Sequence, residues 1–558
     1  MIKRLLPIVL TFLPLACATG GGRSDLGAVL EKQWQRELAQ NVVTRQDLGL
    51  PIERLPEISY AEAERDAAFA REQLAALERI DAWALTDDER ITLAILTALQ
   101  HETIDALPHF WLQFPVTPYA SPIRSVNLVF SRLPFATEAD QAHYLRLLDD
   151  QARFIDQIAD VVREQQRRGI LLPKAEIAIA RTLFTTAALQ RNDERVRAKI
   201  AEQNEPAMAR LAAIFSPEYE AAAPAEVGLG HQPGGAEAYR YLVRLHTTTT
   251  MTPEEIHQLG LREVARIDGE MAAVRKQLGF AGTKAEFHQH LRSDPRFFAK
   301  SAEEIGERMN AQVRRIEPHI STFFATSPRA PYGVARLQPA LEPAMTFGYY
   351  QQPTTSEATG RYLYNGSKLP ERNLLFAPAL MAHELVPGHH FQIARQLENE
   401  SIPLLRRKRY HTAFVEGWGE YAAKLGEEMG LYDDPYDRYG RLMMDMMLST
   451  RLVVDTGMNA LGWPRERAMQ FMREHTLLSE TEIATETLRY AVDIPGQALA
   501  YKIGSLRMME LRRRVERELG ARFDIRAFHE WVIGSGSMPL GVLEEHVMRQ
   551  AARVRGAA

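Results

Sequence analysis

The amino-acid sequence predicts an all-α protein, mostly helical with minor β structure, built as two helical lobes. Residues 60–80 carry Ala, Phe and Leu at steps of three and four with charges between them, which is the pattern of an amphipathic helix. The segments 138–168 and 173–202 have the same character. Alternating strand patterns are scarce, and the best candidate strand is 343–351.

Local signals mark helix starts and a boundary between the two lobes. A Ser or Thr followed three residues later by Glu indicates helix starts at Thr252, Thr283 and Ser301. Segment 218–236 is rich in Ala, Gly and Pro and is the predicted linker. The predicted division, within one unit after the signal, is a signal segment (1–17), an N-terminal helical part (24–220) and a helical part that carries the candidate site (237–558).

The N-terminus is typical of an export signal. Met1–Arg4 is short and basic, and the apolar run Leu5–Leu15 is too short for a permanent membrane-spanning helix. Cys17, the only cysteine, resembles the lipid-modified cysteine of bacterial lipoproteins, although Pro14 replaces the usual Leu. A plain signal peptide cut nearby is the alternative. We expect an exported protein of the bacterial cell envelope, lipid-anchored to a membrane at Cys17 and facing the periplasm.

Charge and composition limit the classes of binding partner that we expect. The chain has 558 residues, a net charge of −5, 25% charged residues and 46% hydrophobic residues, which describes an ordinary globular protein. The sequence has no basic arm or stripe of the kind that neutralises phosphates. We therefore expect no nucleic-acid partner, and membrane contact only through the N-terminal lipid.

The stretch MAHELVPGHHFQ groups three histidines beside a glutamate. In the usual zinc-protease motif, His-Glu-x-x-His, the two histidines lie one helical turn apart. Here His383 and Glu384 are in place, but Pro387 stands where the second histidine belongs, and His389 and His390 follow it. The spacing is therefore altered by two residues.

The Pro-Gly pair in this stretch offers a way to bring a second histidine to the metal. A regular helix would point His383 and His389 about 240° apart, so they can share an ion only if the helix is broken between them. Pro387 lacks the N–H that would bond back to His383, and Gly388 permits unusual backbone angles. We predict that His383 and His389 bind zinc, which prefers imidazole and carboxylate ligands. His390 remains the alternative second ligand.

A third ligand is predicted in FVEGWGEYA, where Glu416 and Glu420 lie one helical turn apart on the same face. Aromatic neighbours such as Trp418 indicate a buried segment, where unpaired carboxylates are costly. Glu416 is the predicted ligand, and Glu420 is the predicted partner that holds a histidine. We expect one zinc ion per chain. The alternative is a set of purely structural histidines.

Four motifs resemble one known family. HELVPGHHFQ, FVEGWGEYAAKLGEEMGLY, VVDTGMNALGW and LRYAVDIPGQALAYKIG follow in this order and resemble the bacterial family called domain of unknown function 885. That family is related to helical metallopeptidases such as angiotensin-converting enzyme, thimet oligopeptidase and the Taq-type carboxypeptidases. The resemblance implies a two-lobed helical shell with zinc in a deep central cleft. It also implies His383, His389 and Glu416 as ligands and Glu384 as catalytic base.

Two further points follow from the resemblance. Members of the family are often described as exported lipoproteins, which agrees with Cys17. The Asp-Thr-Gly motif is commonly followed by a histidine two residues on, whereas Asn459 stands there in this chain.

In the implied reaction, Glu384 takes a proton from water and passes it to the leaving amine. The developing oxyanion needs a hydrogen-bond donor beside the metal, for which Tyr501 is the first candidate and Tyr490 the second. Arg489 is predicted to bind a substrate carboxylate through its planar fork, with Tyr490 as a second substrate-binding residue.

The sequence thus predicts an exported zinc metallohydrolase, a peptidase that cleaves short peptides. One alternative is a non-catalytic lipoprotein that binds peptides, which the intact Glu384 disfavours. Another is a zinc hydrolase of a different amide or ester. A Ser-His-Asp hydrolase is disfavoured because the sequence has no Gly-x-Ser-x-Gly elbow. The Met-rich segment 441–452 has the spacing of a core helix.

Overall fold

The computed structural model describes residues 21–339, 342, 347–355 and 357–556. Helices make up most of this part of the chain, which confirms the predicted all-α class with minor β structure. The predicted signal segment, with Cys17, lies outside the described residues. Within the described ranges, no helix combines the length and the apolar character that crossing a membrane requires.

The first part of the chain is a succession of helices joined by short turns. They are α1 (Gly21–Gln40), α2 (Val42–Asp47), α3 (Tyr60–Leu77), α4 (Asp87–Ala106), α5 (Pro122–Arg132), α6 (Glu138–Arg167), α7 (Lys174–Ala180), α8 (Glu194–Lys199), α9 (Glu205–Ile214), α10 (Pro217–Ala222), α11 (Gly235–Thr247), α12 (Pro253–Gln277), α13 (Lys284–Ser293), α14 (Ala302–Ile316) and α15 (Ile320–Phe323).

Two of the three amphipathic segments form the predicted helices, as α3 and α6. The third, 173–202, is interrupted, because α7 ends at Ala180 and α8 begins after Asp193. The Asp193 carboxylate accepts the backbone N–H of Arg195 at 2.8 Å and that of Val196 at 3.3 Å. A side chain that satisfies these two groups starts a new helix at this point.

Segment 218–236, the predicted linker, is well packed. Tyr219, Val227 and Leu229 are buried in the same apolar cluster as Leu452, which lies far along the chain. The division of the chain into two helical parts stays a prediction.

A small mixed sheet precedes the histidine stretch. Its strands are β1 (Tyr332–Arg336), β2 (Gly348–Gln351) and β3 (Gly360–Tyr364), in the order β1-β3-β2. β1 runs parallel to β3, and β2 runs antiparallel to it with Gly348 opposite Tyr364. The predicted strand 343–351 is thus present over its last four residues, and 343–346 lie outside the described residues.

The helices that follow the sheet carry the candidate site. They are α16 (Ala377–Glu384), α17 (His389–Glu398), α18 (Leu404–Lys408), α19 (Thr412–Leu425), α20 (Pro435–Ala460), α21 (Arg465–His475), α22 (Glu480–Leu488), α23 (Leu499–Leu519), α24 (Ile525–Ile533) and α25 (Leu540–Gly556).

Two helix pairs hold the site in place. α20 packs along α12, and its residues are buried along most of its length, which confirms the Met-rich segment as part of a core helix. α19 packs against α23 at very short range, because a Cβ on Gly417 would stand 2.5 Å from the Cα of Gly504. Only glycine allows two helix backbones to approach this closely.

Candidate metal centre

The structure brings His383, His389 and Glu416 together from three helices, α16, α17 and α19. The Nε2 atom of His389 lies 3.3 Å from Oε2 of Glu416, and Nε2 of His383 lies 3.7 Å from the same oxygen. The two imidazole rings have their centroids 4.6 Å apart. One ligand atom from each residue falls within 4.8 Å of the other two.

These positions fit a metal ion. Zinc bonds of about 2.0–2.2 Å in a tetrahedron place ligand atoms roughly 3.3–3.6 Å apart, close to the observed separations. The Glu416 Oε2 atom is buried and has no hydrogen-bond partner, although it points at two imidazoles. A cation between the three side chains would satisfy it. His383, His389 and Glu416 could therefore hold a metal ion.

The helix is broken between the two histidines, as the Pro-Gly pair predicts. α16 ends at Glu384 and α17 begins at His389, so the two histidines belong to different helices. A Cβ on Gly388 would overlap the carbonyl oxygen of His383, so this close backbone approach requires glycine. The Trp418 indole donates to the carbonyl of Pro387 at 2.9 Å and fixes the turn to α19.

His390 points away from the cluster. Its Nε2 atom lies 3.1 Å from the carbonyl oxygen of Ala330, and its Nδ1 atom lies 3.0 Å from the hydroxyl of Tyr350. Burial lowers the pKa of His390 to about 4, so the ring is neutral at pH 7. Of the two adjacent histidines, only His389 comes together with His383 and Glu416.

The electrostatics of the cluster favour a cation. Burial opposes the charged form of His383, but the carboxylates of Glu416 and Glu420 outweigh it and raise its pKa to about 9. Burial likewise opposes ionisation of Glu416, but the neighbouring imidazoles of His383 and His389 hold its pKa well below the usual range. Metal binding displaces protons from ligands of this kind. A proton and a metal ion would therefore compete for the space between these three side chains.

Glu420 stands behind the cluster, as predicted. Its Oε2 atom lies 3.9 Å from Nδ1 of His383, and its Oε1 atom accepts a hydrogen bond from Arg441 at 2.6 Å. Burial opposes its ionisation, but the Arg441 guanidinium holds the pKa of Glu420 below its usual range. Glu420 thus offers a carboxylate to the Nδ1 atom of His383, the nitrogen that faces away from Glu416.

A network of buried charged side chains extends beyond Glu420, and the sequence analysis did not predict it. Asp445 forms an ion pair with Lys502 of α23 and lies 3.0 Å from Arg266 of α12. Its charge also acts on Arg441. The available signal was the presence of Arg441 and Asp445, one turn apart, inside an apolar helix, where such charges need partners.

Glu384 faces a cavity next to the cluster. Its carboxylate accepts the backbone N–H of Tyr350 on β2, and burial raises its pKa, partly offset by His389 and His383. The cavity has a volume of about 140 Å³, and its wall includes both His383 and Glu384. A space of this size admits several water molecules or part of a ligand.

The structure separates the two candidate tyrosines. Tyr501 lines the cavity, with its ring 6.2 Å from that of His383, and burial raises the pKa of its hydroxyl, which stays protonated. Tyr490 is fully buried, donates to Glu486 and accepts a hydrogen bond from Arg451 at 2.7 Å. Tyr490 is therefore part of the packing behind the cavity wall.

Arg489 lies in the wall of the cavity that Glu384 faces. Its Nη2 atom donates to Gln497 at 2.7 Å, and its Nη1 atom lies 3.4 Å from Glu486. Arg451 lines the same wall, 4.9 Å from the ring centroid of Tyr501. Arg451 and Arg489 share the carboxylate of Glu486, and Glu384 and Glu482 line the same cavity.

Asn459, which replaces the histidine common in the resembled family, is buried and links neighbouring segments through its side-chain hydrogen bonds. Its Nδ2 group donates to the carbonyl oxygens of Asp455 and Tyr490 at 3.0 and 2.9 Å, and its Oδ1 atom accepts the N–H of Leu229 at 2.9 Å. These bonds join α20 to the turn before α11 and to the segment that carries Arg489.

Two solved structures share this fold. "The putative lipoprotein from Colwellia psychrerythraea" has a TM-score of 0.87 and 24% sequence identity, over 95% of this chain and 99% of that chain. "A putative lipoprotein of unknown function from Shewanella oneidensis" has a TM-score of 0.75 and 17% identity, over 95% of this chain and 100% of that chain. At these identities the likeness shows the fold alone. No curated protein matches the chain.

A family model completes the comparison. It describes a bacterial protein of unknown function, DUF885, and matches residues 43–547. The match covers most of the chain and includes all four motifs on which the resemblance to this family was based. The chain therefore belongs to the DUF885 family of bacterial proteins of unknown function.

Proposed function

We propose that this protein is a zinc metallopeptidase that cleaves short peptides in the cell envelope. The observation that carries the proposal is the position of Glu384, which borders the same cavity as His383, one member of the His383–His389–Glu416 cluster. A protein that only bound a metal would need no carboxylate beside its first ligand and in contact with the cavity.

Each residue has a task in the proposed reaction. A bound zinc ion would supply polarisation of the substrate carbonyl and a more acidic water. Glu384 takes the proton of the attacking water and carries it to the leaving amine. The Tyr501 hydroxyl donates a hydrogen bond to the oxyanion that develops on the carbonyl. Arg489, in the wall of the cavity, holds a substrate carboxylate through its planar guanidinium.

Strand β2 supports a peptide as the substrate. It pairs with β3 on one side only among the described strands, and Gly348 and Tyr350 reach the cavity and Glu384. The open edge of a strand binds an extended peptide through main-chain hydrogen bonds. A peptide paired with β2 would pass directly over Glu384.

We also propose a cellular location and an overall shape for the protein. Cys17 at the end of an export signal supports lipid anchoring at the membrane, facing the periplasm. Both solved neighbours carry the word lipoprotein in their names. The resemblance to the angiotensin-converting enzyme and Taq carboxypeptidase group supports a two-lobed shell around a deep cleft.

The test is zinc content and peptide hydrolysis, measured on one purified protein that begins after Cys17. Wild type should bind about one zinc per chain and cleave short peptides. Glu384→Gln should keep the metal and lose hydrolysis, whereas His389→Ala should lose both.

His390→Ala is the matched control, because it removes the neighbouring imidazole that lies outside the cluster. It should keep its zinc. If wild type holds no zinc after zinc has been supplied, or if His390→Ala loses the metal and His389→Ala keeps it, the assignment is wrong.

A further inference from the structure

A side cavity lies next to the cavity that Glu384 faces. Its volume is about 60 Å³. The two cavities share a boundary whose apolar members are Phe347, Leu380, Met444, Met447 and Leu478. Because these side chains line both cavities, the side cavity borders the space in which we place the bond to be cleaved.

The deeper wall of the side cavity is also apolar. Phe376, Met443 and Leu477 line it and do not reach the main cavity. The Phe347 and Phe376 rings meet edge to face with centroids 5.0 Å apart, which closes one end. Met447 is the half-exposed member of an otherwise buried helical segment, because it faces this opening.

Polar groups at the wall of the side cavity are already engaged with the protein. Glu482 accepts the N–H of Ser479 at 2.8 Å, and Asn373 donates to a backbone carbonyl at 2.9 Å. The Thr476 hydroxyl donates to another carbonyl at 2.8 Å. Glu371 is exposed at the rim. The surface left for a ligand is thus thioether, aliphatic and aromatic.

We propose that the side cavity binds the side chain of a substrate residue next to the cleaved bond, and that it selects an aliphatic side chain of the size of leucine or methionine. This inference rests on the proposed function. One water needs about 10–15 Å³ of such a volume, so the cavity holds roughly four to six heavy atoms. Leucine and methionine side chains have four. Methionine walls adapt to either shape.

The expected selectivity follows from the apolar area that the side cavity can cover. Complete burial of a leucine side chain contributes about 1.5–3 kcal/mol, which corresponds to roughly 10- to 100-fold. Leucine and methionine peptides should therefore exceed glycine and aspartate peptides by at least about tenfold in kcat/KM.

The experiment uses two matched peptide series that vary the residue on either side of the cleaved bond among Leu, Met, Phe, Gly and Asp. Hydrolysis is measured with the zinc-loaded wild type. Binding is measured separately by calorimetry with zinc-loaded Glu384→Gln, so that a subsite can be detected even if no peptide is cleaved.

Two substitutions act on the side cavity in opposite directions. Leu477→Trp fills it from a position that does not reach the main cavity, and should reduce the leucine-to-glycine ratio to about one. Met447→Ala enlarges it and should move the preference towards phenylalanine. Leu461→Trp adds the same indole at an exposed position beyond the last turn of α20 and should leave the ratio unchanged.

The outcomes separate the two proposals. Hydrolysis with no aliphatic preference in either series, or a preference that Leu477→Trp leaves intact, overturns the side-cavity inference and leaves the peptidase standing. Aliphatic-selective binding to Glu384→Gln that Leu477→Trp abolishes, together with no hydrolysis by wild type, supports the side cavity and overturns the peptidase. Absence of any peptide binding overturns both.

Discussion

Gly419→Ala tests whether the geometry around His383 controls metal binding. Gly419 lies on α19 next to the imidazole of His383, one residue from Glu420. A Cβ at this position would stand 2.9 Å from Cε1, 3.0 Å from Nε2 and 3.1 Å from Nδ1 of that ring. A single methyl group would therefore press on a predicted ligand without removing any ligand.

The magnitude follows from these distances. Comfortable contact between carbon atoms begins near 3.5 Å, so the His383 ring must move by about 0.5 Å. Metal–ligand distances tolerate about 0.2 Å. We expect zinc affinity to fall roughly 10- to 100-fold, as it does when groups that support a ligand are changed, which is about 1.4–2.7 kcal/mol. Stability without metal should change little, since alanine in a helix gains up to about 1 kcal/mol.

The assay is a competition titration of zinc against a chromophoric chelator, with thermal unfolding of the metal-free protein alongside. Gly269→Ala is the control, because Gly269 lies inside α12 and a Cβ there would meet nothing within 4 Å. It should bind zinc as wild type does and be slightly more stable. The reasoning about His383 is refuted if Gly419→Ala binds zinc within twofold of wild type.

Three further outcomes are expected. Burial, reinforced by the Asp493 carboxylate, raises the pKa of Glu176 to about 8, so its contribution to stability is full below about pH 4.5 and is lost as pH rises through 8. Glu176→Gln should therefore lie within about 1 kcal/mol of wild type in thermal unfolding at pH 5 and exceed it at pH 9 by about 4–5 kcal/mol; parallel pH profiles would contradict this. Tyr501→Phe should lower kcat roughly 100- to 1,000-fold while zinc content, read by atomic absorption, stays at one per chain; unchanged kcat would remove Tyr501 from the reaction. Gly417→Ala forces α19 and α23 apart by about 1 Å and should destabilise the protein by about 1–3 kcal/mol in denaturant unfolding, with an unchanged midpoint as the contrary result.

The predictable part of the site is the part whose constraints are local. A proline without an N–H and a glycine next to it break a helix wherever they stand, so the separation of His383 from His389 into two helices could be predicted from the sequence. The preference for His389 over His390 has the same origin. Glu416 and Glu420 share a helix face by spacing alone, and the structure directs both of them at His383.

The remaining parts depend on contacts between distant segments. The sequence shows Arg441 and Asp445 one turn apart, but it does not show that they meet Glu420 from α19 and Lys502 from α23. The role of Tyr490 was similarly open, since its hydroxyl is engaged by Arg451, thirty-nine residues away. Tertiary packing decides such pairings, and periodicity within one segment carries no information about them.

The Met-rich helix shows the same limit within a single element. Its spacing correctly predicts a core helix, and most of its residues are buried on every side. Met447 is the exception, because it faces a gap between helices and strands. Phe347, just before β2, and Leu478, between α21 and α22, line this gap, which therefore depends on their positions in three dimensions. A helical pattern reports which face is apolar. It cannot report whether the neighbouring surface closes on that face.

The two adjacent histidines, His389 and His390, make contacts with different parts of the site. His390 must carry its proton on Nε2, because that atom faces the carbonyl of Ala330, and so its Nδ1 atom accepts the hydroxyl of Tyr350. The backbone N–H of the same Tyr350 is bound to the carboxylate of Glu384. His390 therefore anchors the strand that orients the proposed base, while His389, one position earlier, joins His383 and Glu416. The two-residue insertion in the motif thus accounts for both contacts, since an unbroken His-Glu-x-x-His helix would direct its second histidine to the metal and leave β2 without this anchor.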